Sequence, residues 1–139
     1  MTTITCTYEG ELRCTTVHDA SGSTLTTDAP RDNEGLGSSF SPTDLIGTAL
    51  GTCLLTIMGI VARRHGIDLR GARVRVTKRM TQAGVRRIEG LEARIALPAG
   101  LRDEQRSLLQ RAAEQCPVKE SLAASVPMEL HWESPAEAG

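Results

Sequence analysis

One stretch without charged residues constrains this chain most: residues 45–62, between Asp44 and Arg63. A segment this long and apolar is compatible with a transmembrane helix. It contains three glycines and three threonines, however, and the chain has no second segment of this kind. The polar N-terminal residues also lack the basic start and apolar run of a signal peptide. We therefore predict a core helix in a cytoplasmic protein, with no membrane span.

The residues that flank this stretch predict where the helix begins and ends. Ser41 suits the N-cap and Pro42 the first turn, and Asp44 can complete a capping box with Ser41. Gly66 suits the C-terminal stop. The helix is thus predicted over residues 42–65.

Small residues recur along this helix at a spacing of four. Gly47 and Gly51 share one such row, and the other row consists of Thr48, Thr52 and Thr56. Residues four apart lie on the same face, so the stripe would let a second helix approach closely. Because the helix is apolar on nearly all sides, we expect it to be central and buried.

The rest of the chain predicts an α+β fold. Alternating apolar and polar residues indicate strands on both sides of the long helix, with a turn at Glu9–Gly10 and a loop over residues 28–40. The predicted strands cover residues 4–8, 12–16, 24–27, 73–77, 91–97 and 128–133. An amphipathic helix is predicted over residues 101–115. The length suits a single domain, residues 1–139.

Composition excludes several functions. The net charge is -1 and aromatic residues make up only 2% of the chain. Neither value suits a protein that binds nucleic acid or an anionic membrane. The cysteines form no CxxC pair, and no histidine stands at metal-ligand spacing from them, so no metal is expected. The three histidines are scattered, and we assign them no catalytic role.

The four cysteines are expected to be free thiols in a reducing compartment. Cys116 precedes Pro117, which predicts that Cys116 is the N-cap of a short helix over residues 117–124. Free N–H groups there, together with Lys119, would lower the pKa of the thiol. Alternatively, Cys116 is only a small apolar residue at a helix break. A structural role is the default for Cys6, Cys14 and, taken alone, Cys53.

Two motifs together resemble the OsmC/Ohr family of thiol peroxidases. The motif "FSPTDLIGTALGTC", which ends at Cys53, is followed 63 positions later by "CPVKESL", which begins at Cys116. The likeness extends over nearly the whole chain, including "SGSTLTTDAPRDN", "RRIEGLEARIALP" and "VPMELHW". It is stronger to the OsmC-like branch than to Ohr itself.

The resemblance implies a fold, an assembly and an activity. Antiparallel sheets of two chains would wrap two central helices in an intertwined homodimer, with each active site at the dimer interface. Cys53 would be the peroxidatic cysteine and Cys116 the resolving cysteine. The protein would reduce organic hydroperoxides, without metal or cofactor, and a small or lipoyl-type dithiol would regenerate it.

The resemblance also implies an arginine beside the reactive thiol. A thiolate in a dry pocket needs a nearby cation, and the family takes an arginine from the first hairpin. Arg13 matches best by position, and Arg31 is the second candidate. The family holds this arginine with a glutamate ten positions before the first cysteine, where this chain has Thr43. Asp44 lies nine positions before, about half a helical turn from the face of Cys53, and is expected to act as a cap.

Three other functions remain open from the residues alone. The chain could be a binding module whose pocket Cys53 merely lines. It could be a structural dimer with inert cysteines. It could also be a thiol-dependent enzyme that acts on a different electrophile.

Overall fold

The structure is a computed structural model and describes residues 1–134. The described residues form strands β1 (Ile4–Gly10), β2 (Arg13–His18), β3 (Thr24–Asp28), β4 (Arg73–Met80), β5 (Ile88–Ala96) and β6 (Met128–Trp132). They also form helices α1 (Pro42–Arg64), α2 (Asp103–Ala113) and α3 (Pro117–Leu122), with a 3₁₀ turn at Arg31–Asn33. The predicted α+β fold is confirmed. The sequence also predicts a loose tail over residues 134–139, and apart from Ser134 this segment lies outside the described residues.

The chain divides into two compact units, Met1–Ile46 and Gly47–Gly139. In the first unit, β1, β2 and β3 form an antiparallel sheet in chain order. The predicted turn at Glu9–Gly10 is wrong by two residues, because Gly10 still pairs with Arg13. The turn therefore consists of Glu11 and Leu12, at φ values of 53° and 63°. Two-residue hairpin turns commonly need positive φ at both positions.

Helix α1 begins and ends as its flanking residues predict. At its start, the Asp44 N–H donates to Ser41 Oγ at 3.1 Å, and the Ser41 N–H donates to Asp44 Oδ2 at 2.8 Å. This reciprocal pair is the predicted capping box. At its end, Gly66 takes a φ of 64° and the Ile67 N–H donates to the carbonyl of Ala62 at 2.9 Å. These are the features of a glycine-terminated helix.

The second unit contains a sheet in the order β4, β5, β6, in which β4 and β5 are antiparallel and β6 runs parallel to β5. Most of the buried apolar residues of this unit come from α1, β5 and α2. They include Leu50, Leu54, Met58, Leu91, Ala93, Ile95, Leu109 and Ala113. Cys116, at the start of α3, is buried with them.

The two rows of small residues on α1 have different surroundings. A methyl group on Gly51 would lie 3.2 Å from Val76 Cγ2, and one on Gly47 would lie 3.4 Å from Val76 Cγ1. The glycines therefore allow strand β4 to pack closely against α1, and the prediction that they face a second helix is wrong. The threonine row, Thr48, Thr52 and Thr56, is exposed in the single chain.

Helix α1 is consequently buried along one face and not all round. Its length and composition would also suffice for a membrane span. Leu50, Leu54 and Met58 are nevertheless completely buried within the chain, which is typical of a core helix. The prediction of burial on all sides fails because one sheet can cover only one face of a helix.

Candidate functional site

The second unit brings Cys53 and Cys116 together. Cys53 lies on α1 and is half-buried, whereas Cys116 is the N-cap of α3 and is completely buried. The Cys53 side chain lies beside the Cys116 thiol and acts on it both as a hydrogen-bond partner and as a charge. Two thiols that are 63 positions apart in the chain thus become neighbours, as a reactive pair requires.

The environment of Cys116 has opposing effects on its pKa. Burial raises the pKa of the Cys116 thiol most, and the adjacent Cys53 raises it further. The Lys119 N–H, which lies 3.5 Å from Cys116 Sγ, lowers it but does not outweigh the other two effects. The predicted N-cap is confirmed, whereas the predicted lowering of the Cys116 pKa is wrong. The Lys119 ammonium forms an ion pair with Glu114 at 3.2 Å.

This arrangement keeps a proton on Cys116 at neutral pH. A negative charge on Cys53 would also disfavour a second one on the adjacent Cys116. A neutral Cys116 can donate a hydrogen bond to a Cys53 thiolate. Chemically, the pair can form a disulfide after Cys53 is oxidised. All four cysteines are free thiols in the structure.

The first unit holds both candidate arginines in different ways. Arg13 lies opposite Asp28 in the β2–β3 pairing, with its Nε 3.8 Å from Asp28 Oδ2. Arg31 lies in the exposed 3₁₀ turn, where its Nε donates to the carbonyl of Leu36 at 3.1 Å. Arg13 therefore has a carboxylate partner, and Arg31 is bound to its own loop. The assignment of either arginine to the thiols stays a prediction.

The sequence analysis missed Asp28, because it placed residues 28–40 in a loop. Asp28 is the last residue of β3, and its side chain is only 1% exposed. The alternating pattern of the second and third predicted strands was the available signal. If the third strand had been extended by one residue, pairing the two strands would have placed Asp28 opposite Arg13. Asp44, in contrast, takes the predicted capping position on α1.

Two further groups could carry chemistry: the Cys6 thiol, and a cluster of two glutamates and a histidine on β5 and β6. Cys6 is exposed, and its Sγ lies 2.8 Å from Thr16 Oγ1. On β5 and β6, Glu92, Glu129 and His131 lie close enough to share an ion. No spacing of residues along the chain predicts this cluster. The nearby Arg94 already pairs with Glu92 at 3.1 Å, so the cluster has ion-pair partners of its own.

Comparison with protein families identifies the class to which this fold and cysteine pair belong. The OsmC-like protein family model matches residues 35–131, which include both Cys53 and Cys116. The chain therefore belongs to the OsmC-like family. A search of curated protein sequences gives no match.

Solved structures agree with this family assignment. A protein of Psychrobacter arcticus 273-4, provisionally described as an osmotic stress induced and detoxification response protein, is 38% identical, with a TM-score of 0.87 over 96% of both chains. The organic hydroperoxide resistance protein OsmC of Legionella pneumophila is 17% identical, with a TM-score of 0.75 over 96% of this chain and 97% of that one. The organic hydroperoxide resistance protein OhrB of Bacillus subtilis is 16% identical, with a TM-score of 0.70 over 96% and 98% of the two chains. The last two likenesses establish the fold.

Proposed function

We propose that this protein is a thiol peroxidase that reduces organic hydroperoxides with Cys53 and Cys116. One observation carries the proposal: the two thiols are adjacent within one chain, and the buried Cys116 is held protonated beside Cys53. The fold is shared with proteins named for organic hydroperoxide resistance, which supports the same chemistry.

The proposed reaction has three balanced steps. The Cys53 thiolate attacks the terminal oxygen of the hydroperoxide, the O–O bond breaks, and the alkoxide leaves as an alcohol after protonation. Cys53 is now a sulfenic acid. The Cys116 sulfur then attacks the Cys53 sulfur, a disulfide forms, and water leaves with the proton that Cys116 gives up. An external dithiol, either a small one or one of the lipoyl type, reduces this disulfide by exchange and becomes a disulfide itself.

The same proposal assigns Arg13 to the Cys53 thiolate. An opposite charge within a few ångströms favours the ionised form of a thiol. Apolar neighbours of Cys53 on α1, such as Leu54, would favour an alkyl hydroperoxide over hydrogen peroxide. No metal or cofactor takes part in the proposed reaction.

We further propose that the protein acts as a homodimer in the cytoplasm. In the first unit, several large apolar side chains are exposed, including Tyr8, Leu36 and Phe40 at 64%, 66% and 51%. Where exposed apolar side chains form a contiguous patch, they typically mark an interaction surface. A second copy of the chain would cover them, as the family resemblance implies.

A small-molecule binding protein without peroxidase activity is the alternative. It requires a pocket that Cys53 only lines. An open cleft of about 290 Å³ lies in the second unit, but its walls are mainly side chains of α2 together with His65 and Ile67. Cys53 is not among these lining residues, so this cleft does not support the alternative.

The disulfide between Cys53 and Cys116 is the test of the proposed function. Reduced protein receives one equivalent of cumene hydroperoxide and is then analysed by intact mass and by peptide mapping. We expect the mass to fall by two hydrogen atoms and a peptide that joins Cys53 to Cys116, with Cys6 and Cys14 still free. The bond would close a loop of 63 residues, which the chain-entropy model values at about 4 kcal/mol, so the oxidised form should melt at a higher temperature.

Three variants sharpen this experiment. In Cys116→Ser the sulfenic acid has no partner, so Cys53 should advance to sulfinic or sulfonic acid. In Cys53→Ser neither product should form at low peroxide. Cys14→Ser is the matched control and should behave as the wild type. If Cys53 and Cys116 both stay reduced under excess alkyl hydroperoxide, the peroxidase function is wrong and the binding protein takes its place.

A further inference from the structure

Asp28 is a buried carboxylate whose surroundings are unusual. Its side chain is 1% exposed, and Ser38 donates to Oδ2 twice, from its N–H at 2.9 Å and from its hydroxyl at 2.5 Å. These hydrogen bonds, with a smaller contribution from the charge of Arg13, hold the pKa of Asp28 below its ordinary value despite burial. Asp28 is therefore negatively charged at neutral pH.

Within residues 1–134, Arg13 is the cation that pairs with Asp28, and the pairing is loose. Arg13 Nε lies 3.8 Å from Asp28 Oδ2, beyond hydrogen-bond distance. Among residues 1–134, neither Arg13 Nε nor Asp28 Oδ1 has a hydrogen-bond partner, although both atoms are buried. A buried charge is costly unless it is paired, so a carboxylate with one unpartnered oxygen indicates a purpose beyond packing.

The backbone fixes this pair in place. Arg13 and Asp28 are directly opposite in the antiparallel β2–β3 ladder. Immediately before Arg13, the turn residues Glu11 and Leu12 hold positive φ values, which are unfavourable for residues other than glycine. At the end of β3, the Asp28 N–H donates to the carbonyl of Phe40 at 3.0 Å. This hydrogen bond ties the end of the strand to the far end of the loop that follows it. Both members of the pair are thus constrained by their strands.

The ion pair uses the Nε end of the guanidinium. Arginine carries five N–H donors in a rigid planar fork, and four of them are on the two terminal nitrogens. The Asp28 carboxylate attracts this Nε edge across 3.8 Å without a hydrogen bond, and the terminal nitrogens are left for a second anion. The Arg13 side chain is still 37% exposed, so such an anion has access to it.

We propose that Asp28 is the positioning residue for Arg13 and aims the terminal N–H groups of this arginine at the anionic centre of the reaction. The inference rests on the proposed function, in which that anion is the Cys53 thiolate and the hydroperoxide oxygen that it attacks. Asp28 would thus do from β3 what the family glutamate does from the position of Thr43. Asp44, the acidic residue next to Thr43 in the sequence, accepts a hydrogen bond from the Ser41 N–H at the helix cap.

A double-mutant cycle tests whether Asp28 acts through Arg13. The variants are Arg13→Ala, Asp28→Asn, the double variant and, as the control, Asp68→Asn. Asp68 forms an exposed ion pair with Arg70 at 2.7 Å. Each variant is assayed for the pH profile of Cys53 alkylation by iodoacetamide, for kcat/KM with cumene hydroperoxide, and for folding by circular dichroism.

We expect Asp28→Asn to slow Cys53 alkylation at pH 7 about tenfold, which corresponds to a shift of the profile by about one pH unit. Arg13→Ala should do the same or more, and adding Asp28→Asn to it should change nothing further. Asp68→Asn should match the wild type. An unchanged profile in folded Asp28→Asn overturns the inference, and so does a full additional loss in the double variant.

Three further outcomes keep the result clear. If Asp28→Asn does not fold, Ser38→Ala removes one donor to Asp28 and should shift the profile in the same direction by a smaller amount; no shift would overturn the inference. If the wild type does not consume cumene hydroperoxide while Cys53 alkylation still depends on Asp28 through Arg13, the proposed function fails and the positioning role stands. If the wild type is active and Asp28→Asn leaves both readouts unchanged, only the positioning role fails.

Discussion

At the scale of single residues, Cys116 shows how burial and a helix terminus compete for one thiol. The N-cap position is read easily from the Cys-Pro pair, and the Lys119 N–H contact confirms it. The sign of the pKa shift is not readable in this way, because it depends on how completely the core covers the sulfur and on Cys53, 63 positions earlier. Non-local burial outweighs the local dipole here.

We therefore expect the cysteine thiols to be alkylated at different rates. The folded pKa of Cys116 is raised above its ordinary value of 9.0, so its proton stays in place as the pH rises through that value. The stability associated with the neutral thiol is fully present below pH 9 and is lost as the pH rises through the folded pKa. With iodoacetamide at pH 8, we expect Cys116 to react at least about tenfold more slowly than the exposed Cys6.

Peptide mass spectrometry over a time course measures this difference in the reduced protein. In guanidinium chloride both thiols should react at the same rate, which is the control for intrinsic reactivity. Equal rates in the native protein would contradict the burial of Cys116 and the direction of its pKa shift.

At the scale of elements, the glycines of α1 serve different purposes. Gly51 faces β4, where an added methyl would lie 3.2 Å from Val76 Cγ2, whereas Gly59 has nothing within 4 Å of such a methyl. Alanine is favoured over glycine inside a helix by roughly 0.5–1 kcal/mol. We expect Gly59→Ala to raise the free energy of unfolding by about that amount, and Gly51→Ala to gain less or to lose stability through crowding.

Chemical denaturation of the two variants beside the wild type measures this pair of effects. The two substitutions are identical and lie on the same helix, so each is the control of the other. An equal gain in both would mean that α1 does not pack closely on β4 at Gly51.

Helix α1 also shows which structural features can be predicted from the sequence and which cannot. Its caps at Ser41 and Gly66 are local signals, because each depends on residues within one turn, and both predictions are confirmed. The surroundings of Gly47 and Gly51 depend on a strand that begins at Arg73, and no spacing within the helix reveals it. The role of Asp28 was hidden for the same reason, since it follows from the register between two strands.

At the scale of the whole molecule, several large apolar side chains of the described residues are exposed to solvent. On α1, Ile60 is 42% exposed, and it continues the exposed row of Thr48, Thr52 and Thr56 by one more step of four residues. In the first unit, Tyr8 is 64% exposed. A two-helix core shared between two chains would cover the first surface, which one sheet cannot reach.

We therefore expect light scattering at micromolar concentration to report twice the mass of one chain. Ile60→Lys would place a charge in the proposed helix-to-helix contact, where an unpaired buried charge is strongly unfavourable, and should shift the protein toward monomer at the same concentration. Val85→Lys is the matched control: Val85 is 83% exposed, but it lies in the polar turn between β4 and β5 and should leave the mass unchanged. Because the proposed active site belongs to the dimer, Ile60→Lys should also lose peroxidase activity as the protein is diluted, and Val85→Lys should not. A wild-type monomer, or two variants that scatter alike as dimers, would show that α1 does not form the contact between chains.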